Sequence, residues 1–492
     1  MQHYLLLILS VAMAVVVNAQ NLLPTPLSVS TQGAVLPAPG QVSVTLKGDA
    51  NAPSDEMVRE IAGVPLSRIF CSPHPSHLKP ESYRLDLTGD NAVIEAADYR
   101  GYIYALHTLA QLLQSDSIAA NITVSDSPRC GWRAFMLDSG RQMHSVDVVK
   151  KYIRMASMLK MNRFHWHLTE GLGWRPEIKA LPLLSSVGGY VADGEGQQGY
   201  FSQSDMREIV DYAGRWGIEI VPEIDIPGHS EAALYAYPEL GCRGVRPEIP
   251  RTGFTSDIFC AGNDSTLNAL YTILNEICAL FPGEYIHLGG DEAPKENWNN
   301  CPRCRARMEH EGLADSHELQ LWLSTRMAAH LASKGRKAVF WEDVVNNTGP
   351  RLPDNAVIQW WNYRGHGNDA VHKAKSLGLP VVLSPNYYCY LNFPETPWRG
   401  YENDRTFDLA DAYLRNPAHT EISRDNPLLM GITAALWTDY GLTDDMIDNR
   451  IFPRIFALAE LMWHQGELMT LNQLTHKITC ISAYFSRQGF VW

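Results

Sequence analysis

The amino-acid sequence predicts an α/β fold: a (β/α)8 (TIM) barrel over residues 129–492, preceded by a small α+β domain over residues 20–128. Three observations carry this prediction. From Gly131 onward the pattern repeats as strand, loop and helix. Eight candidate strands follow one another, at residues 133–137, 163–168, 218–224, 285–288, 338–341, 356–361, 380–383 and 432–437. Polar and aromatic residues then gather at the carboxyl end of each strand, the face where barrels of this kind carry their sites.

Taken in order, the chain opens with an apolar run, residues 5–17, that closes on Val17-Asn18-Ala19. This is the pattern of a secretory signal cleaved after Ala19, although no Lys or Arg precedes the run. The run is shorter than the ~20 residues of a membrane span, and no later stretch is apolar enough to be one. The expectation is an exported protein, periplasmic or extracellular. Net charge is −13 with no basic run, which argues against nucleic acid as a partner. Thirteen Trp and twenty-one Tyr suit sugar faces as well as cores.

Residues 83–87 alternate as a half-buried strand, 92–96 pair with them after a turn at Gly89-Asp90, and 102–113 are apolar at helical spacing. No chemical constellation falls in this part, and its expected task is structural. In the barrel, helical patterns at 146–159, 204–215, 267–280, 319–332 and 369–377 separate the strands.

Nine cysteines are an odd number, so at least one thiol is unpaired or pairs between chains. Cys301-Pro-Arg-Cys304 resembles a zinc or redox knuckle. No second CxxC and no His pair at ligand spacing follow it, so a local disulfide or two free thiols is expected there rather than a four-ligand zinc site. Cys242 and Cys260 bracket a loop containing Pro and Gly and could staple it.

The strand ends supply the chemistry. The first carries Asp138 and Arg141, the second His165, His167 and Glu170, the third Glu223, Asp225 and His229. The fourth, Tyr285-Ile-His-Leu, breaks at Gly289-Gly290 and delivers Asp291 and Glu292 in succession. Neighbours on an extended strand point to opposite faces, whereas a glycine-loosened turn can steer both carboxylates into one pocket. The remaining ends bring Trp341-Glu342-Asp343, Trp360-Trp361, Tyr390 with Asn392, and Trp437 with Asp439.

The segments GWRAFMLDSGR, FHWHLTE followed by GWR, VPEIDIPGH, HLGGDE, WED, QWW, YLN and LWTD occur in this order. Over about residues 80–463 the chain thereby resembles glycoside hydrolase family twenty, the β-N-acetylhexosaminidases. The resemblance implies an exo-acting enzyme that removes terminal β-linked N-acetylglucosamine or N-acetylgalactosamine from glycans, with no cofactor and no metal. Most glycosidases place two carboxylates on opposite sides of the scissile bond, which adjacent residues do poorly, and this family is an exception in which the substrate assists. The sugar's 2-acetamido oxygen attacks the anomeric carbon, giving an oxazolinium ion and a retained configuration.

In that scheme the resemblance makes Glu292 the acid and then the base, and Asp291 the group that orients the acetamide and faces the developing positive charge. It makes His229 a support for the acid/base, with Glu170 as partner, and gives Tyr390 a hydrogen bond to the acetamido oxygen. Arg141, Asn392 and Asp439 are implied contacts to sugar hydroxyls, and Trp341, Trp361 and Trp437 pocket walls. Three positions depart from the family pattern: Glu170-Gly171-Leu172-Gly173 replaces the more frequent Asp-Asp-Gln-Gly, Asp439 a Glu, and Asn392 an Asp. His165 and His167 are expected in the barrel interior, and Glu342 and Asp343 either as loop groups or as groups that support the site residues from behind, outside the site itself. Two rival readings remain open. One is a metal-dependent amidohydrolase barrel built on His165-x-His167; the other is a non-catalytic carbohydrate-binding barrel.

Overall fold

The computed structural model describes residues 21–48, 51–71, 78–191, 198–249, 257–345, 352–363, 369–395, 407–422, 426–439 and 442–492. The expected signal, residues 1–19, lies outside the described residues.

Strands β1 (Ser28–Pro37), β2 (Ser43–Gly48), β3 (Leu66–Cys71), β4 (Tyr83–Thr88), β5 (Asn91–Ala96) and β6 (Ser117–Asp126) form one sheet in the order β1-β6-β4-β5-β2-β3. The β4–β5 hairpin pairs Tyr83 with Ala96 and Thr88 with Asn91, and Gly89 takes φ 56° in the turn between them. Tyr83, Leu85 and Leu87 alternate inward with period two, as the sequence pattern requires. Helices α1 (Asp55–Ala62) and α2 (Tyr99–Leu112) accompany the sheet. Asp98 caps α2 by accepting from Gly101 N–H at 3.0 Å. Residues 101–112 are all buried, because α2 also packs against barrel helices.

One polar knot joins the two parts. Lys160, on the barrel side, donates to Asp126 at the end of β6 at 2.8 Å and to the Tyr83 hydroxyl at 2.9 Å. Trp463 Nε1 donates to the same carboxylate at 3.0 Å. Lys160 and Asp126 are both almost fully buried, so each neutralises a charge that would otherwise be costly.

The barrel strands are β7 (Trp132–Asp138), β8 (Arg163–His167), β11 (Glu219–Glu223), β12 (Tyr285–His287), β13 (Lys337–Trp341), β14 (Ala356–Trp360), β15 (Val381–Leu383) and β16 (Leu429–Leu436). They close in the order β11-β12-β13-β14-β15-β16-β7-β8, every pair parallel. A short pair, β9 (Thr169–Glu170) and β10 (Gly173–Trp174), folds over the end of β8. The longer helices around the barrel are α3 (Val146–Met158), α4 (Gln203–Arg215), α5 (Asp264–Leu280), α6 (Pro302–Glu311), α7 (Ser316–Ser333), α8 (Asp369–Ser376), α9 (Arg454–Trp463) and α10 (Leu471–Arg487). All eight expected barrel strands are present. Among the described residues no helix is long and apolar enough to cross a membrane.

Inward-facing residues rise through the barrel in steps of two. Trp132, Ala134, Val221, Tyr285, Val339, Val357 and Val382 make an apolar floor. With it come His165 on β8 and, one step further along the floor's own strands, Glu223, His287 and Gln359, all buried. The top holds Met136, Trp341, Tyr390, Phe393, Ala435 and Trp437, with Trp361 against them. An apolar floor beneath polar groups and an aromatic rim leaves one end of the barrel fit for chemistry.

Candidate active site

The turn after β12 is built by two glycines for different reasons. Gly289 has φ 60°, and a Cβ there would stand 1.9 Å from Asp225 Oδ1. Gly290 has φ 104°, and a Cβ there would meet Val344 at 2.6 Å. The bare backbone lets Gly290 N–H donate to Asp225 at 2.9 Å. Past the glycines the two carboxylates part company: Asp291 is buried, whereas the Glu292 side chain is 40% exposed. Glu292 itself takes φ 47°, unusual for a residue with a side chain, and His229 takes φ 48°. Strained backbone at two neighbouring polar residues is the pattern of a functional site.

His229 stands between the acids. Its Nδ1 lies 2.9 Å from Glu170 Oε1, and its Nε2 lies 3.4 Å from Asp291 Oδ2 and 3.7 Å from Glu292 Oε2. Burial opposes the charged ring, but the charges of Glu170 and Asp291 outweigh it and hold the imidazole well above its ordinary pKa. His229 in turn outweighs burial at Asp291 and draws that carboxyl below its ordinary value. Glu292 moves the other way: partial burial, then the charge of Asp291, raises it. Two adjacent carboxyls are thus set to opposite roles, one charged and one able to hold a proton.

Glu170 also binds Arg141, at 2.5 Å, and Arg141 meets Asp138 at 2.9 Å. The Arg141 guanidinium lies over the Trp437 ring, 4.9 Å from its centroid. Asn392 Nδ2 donates to Asp439 at 3.2 Å, and burial raises the Asp439 carboxyl to about 6. The aromatic groups adjoin these charges. Trp361 stacks on Tyr390 at 6.4 Å and 11°, and Trp437 sits 5.9 Å from Tyr390 and 5.8 Å from Trp341. The structure therefore brings all eleven residues singled out in the sequence to one end of the barrel.

Three further carboxylates organise this site, and the sequence assigns no role to two of them, Glu223 and Asp225. Glu223 is fully buried and accepts from Trp341 Nε1 at 2.8 Å, with His165 Nε2 at 2.8 Å and His167 Nδ1 at 2.6 Å. It fixes one tryptophan of the wall from below, and His165 and His167 lie in the interior as expected. Asp225, beneath Gly290, is pushed well above the usual carboxylate range by burial and by the charge of Asp291. Asp343 takes the supporting place expected of it: it accepts from Trp361 Nε1 at 2.9 Å and from Glu292 N–H at 3.3 Å, joining the wall to the residue that carries the exposed carboxylate. The signal for Glu223 and Asp225 lay in the period-two step Val221, Glu223, Asp225 along β11 and just past its end.

Carboxylates opposite an aromatic wall at a barrel mouth mark a carbohydrate-active protein. Comparison with known proteins narrows this. The family model "Glycosyl hydrolase family 20, catalytic domain" matches residues 130–466, and "Glycosyl hydrolase family 20, domain 2" matches residues 19–127. The chain belongs to glycosyl hydrolase family 20.

Among its relatives, a β-hexosaminidase of Porphyromonas gingivalis is 35% identical, over 78% of this chain and 51% of that protein. One of Akkermansia muciniphila is 31% identical, over 78% of this chain and 80% of that protein. The chain thus spans about half the length of the first of these. Among solved structures, the β-N-acetylhexosaminidase from Bacteroides fragilis superposes with a TM-score of 0.86 at 47% identity, covering 96% of each chain. A Streptomyces plicatus β-hexosaminidase in complex with its product N-acetylglucosamine gives 0.78 at 26% identity, covering 96% of each chain.

Proposed function

We propose that the chain is an exo-acting β-N-acetylhexosaminidase that removes terminal N-acetylglucosamine or N-acetylgalactosamine from glycans by a retaining, substrate-assisted route. The observation that carries this reading is the division of labour between Asp291 and Glu292. A pair of opposed catalytic carboxylates would need room for the sugar between them. Here both emerge from one turn, one buried and charged, the other at the mouth and raised toward the protonated form.

Glu292 gives its proton to the departing glycosidic oxygen as the substrate's acetamido oxygen closes on the anomeric carbon. Asp291, charged beneath the acetamide, accepts from its N–H and offsets the positive charge spreading into the oxazolinium ring. The Tyr390 hydroxyl donates to the acetamido oxygen, with Trp341, Trp361 and Trp437 enclosing the methyl group. Water then enters, Glu292 takes its proton, and the ring opens with the original configuration. Arg141, Asn392 and Asp439 grip the hydroxyls of the terminal sugar, with Glu170 holding Arg141 and His229 in place. A site this rich in carboxylates suits a neutral sugar that becomes cationic at its transition state.

Export fits the apolar segment ending at Ala19, with the mature chain dividing at about residue 128 into the small domain and the barrel. Hydrolysis of chromogenic β-glycosides of N-acetylglucosamine and N-acetylgalactosamine, run side by side, tests the activity. Turnover of neither would overturn it. N-terminal sequencing of the exported protein tests cleavage after Ala19.

A further inference from the structure

Four cysteines that the proposed chemistry does not use converge on one point. Cys242 lies in the loop after β11, Cys260 just before α5, and Cys301 and Cys304 at the start of α6. Read from spacing, the Cys301–Cys304 knuckle lacks a second ligand pair; the fold supplies one from upstream. The sulfur of Cys304 lies 3.7 Å from that of Cys242 and 3.6 Å from that of Cys260, which stands 3.9 Å from Cys301. All four sulfurs fall within 4.8 Å of one another. Cys260, Cys301 and Cys304 are buried and Cys242 is half-buried.

These separations are too long for S–S bonds, which measure about 2.05 Å. They do match the edge of a metal tetrahedron, since four thiolates each ~2.3 Å from a zinc ion stand about 3.8 Å apart. The backbone around the cluster is drawn in to the same end. Gly262 packs so tightly that a Cβ there would come within 2.4 Å of the Arg303 carbonyl and the Cys304 nitrogen. Arg303 reaches across to donate to the Gly241 and Cys242 carbonyls at 3.2 and 3.3 Å. Cys301 and Cys304 occupy the start of a ten-residue helix, whose N-terminal dipole favours thiolate.

We propose that Cys242, Cys260, Cys301 and Cys304 bind one zinc ion as a tetrathiolate, a structural site. It clamps the loop after β11 to the segment after β12, the two stretches that also carry His229 and the Asp291–Glu292 pair. The clamp reaches the active site through backbone: Phe259, beside Cys260, donates from its N–H to the Pro227 carbonyl at 3.1 Å, two residues from His229. Trp298 Nε1 donates to the Phe259 carbonyl at 2.9 Å, and Asn297 donates to Asp257 at 2.7 Å, tying the same two segments together. Zinc binding also protects four thiols that would otherwise oxidise in pairs outside the cytoplasm.

The test uses the full chain, produced without a polyhistidine tag and purified without chelator. Elemental analysis should find about one zinc per chain after gel filtration, the stoichiometry of a closed four-ligand site. A mercurial should release it as four thiols titrate, and cobalt loading should give the thiolate-to-metal absorption of a tetrahedral tetrathiolate. Cys304→Ser should lose more than nine-tenths of the zinc and melt several degrees lower, while Cys480→Ser, at an exposed thiol on α10, should change neither. Should Cys304→Ser fail to fold, zinc content and mercurial release in the unaltered chain still decide. Disulfides among these four residues in a non-reducing peptide map, iron in place of zinc, or four freely titrating thiols without metal would overturn the proposal.

Discussion

Glu170 holds His229 with its Oε1 2.9 Å from the imidazole Nδ1, on the side away from Asp291 and Glu292. The contact favours the charged ring: the charge of Glu170, followed by that of Asp291, lifts His229 against burial. With that charge gone, the imidazole loses its proton at a lower pH. Loss of the imidazolium charge, which draws Glu292 down, lets that carboxyl keep its proton to higher pH, so Glu170→Gln is expected to shift the basic limb of the kcat/KM profile toward alkali and to lower kcat roughly tenfold or more. KM should rise as well, because Arg141 loses the same partner. A pH–rate profile with an unmoved basic limb would remove Glu170 from this role.

Glu292→Gln removes the carboxyl proposed as proton donor at the mouth of the site. Hydrolysis of substrates with poor leaving groups should all but cease, whereas activated aryl glycosides, which depart without protonation, should lose less. Rates for a graded leaving-group series, measured on variant whose circular dichroism matches the unaltered protein, check this. Equal losses across the series would exclude Glu292 as the acid.

Asp291→Asn keeps the shape and removes the buried charge. A loss of about 3 kcal/mol of transition-state stabilisation, roughly a hundredfold in kcat, is expected for an oriented group of this kind. The sign of the accompanying pH effect follows from Glu292. Partial burial and the Asp291 charge raise the Glu292 carboxyl, so without that charge Glu292 deprotonates at lower pH and the basic limb moves toward acid. Steady-state kinetics across pH test both; a near-unaltered rate would take Asp291 out of the mechanism.

Stability at the junction of the two parts should depend on Lys160. Lys160→Met removes the ammonium and leaves the buried Asp126 carboxylate to the Tyr83 hydroxyl, the Trp463 indole and the Leu27 and Ser127 N–H groups. The expected cost is about 3–5 kcal/mol, the range for breaking one side of a buried pair. Denaturant unfolding measures it, and a loss below about 1 kcal/mol, typical of an exposed pair, would show that the knot contributes little.

The barrel was legible because its strands are short runs of branched and aromatic residues, spaced by amphipathic helices, and both periods are local. The small domain was less so. Strands β4 and β5 alternate cleanly, but β1 carries Ser28, Ser30, Gln32 and Gly33 and is largely exposed on the sheet edge, so its pairing with β6 is set by distant backbone partners. The same distinction runs through the site. Residues past strand ends could be gathered by the rule that barrels work at that face. Glu223 and Asp343 act by touching Trp341 and Trp361, and the cysteine cluster joins segments on either side of α5. Such contacts are made by folding across long separations, and no spacing in the sequence records them.

In the proposed mechanism the nucleophile comes from the substrate and not from the protein. If the acetamido oxygen attacks the anomeric carbon, a glycoside with a 2-hydroxyl in its place has no nucleophile and should be essentially inert even at high concentration. Two displacements at one carbon restore its configuration, so the first-formed sugar should be the β anomer. A thiazoline analogue of the oxazoline should compete with substrate, since it resembles a state near the transition state. The buried, charged Asp291 beneath the aromatic wall has little to do for a 2-hydroxy sugar, which offers neither an acetamido N–H nor an oxazolinium charge. Proton NMR of the product anomer, beside rates for matched 2-acetamido and 2-hydroxy glycosides, decides the matter. An α product, or comparable rates on the two glycosides, would mean that the nucleophile comes from water or from the protein.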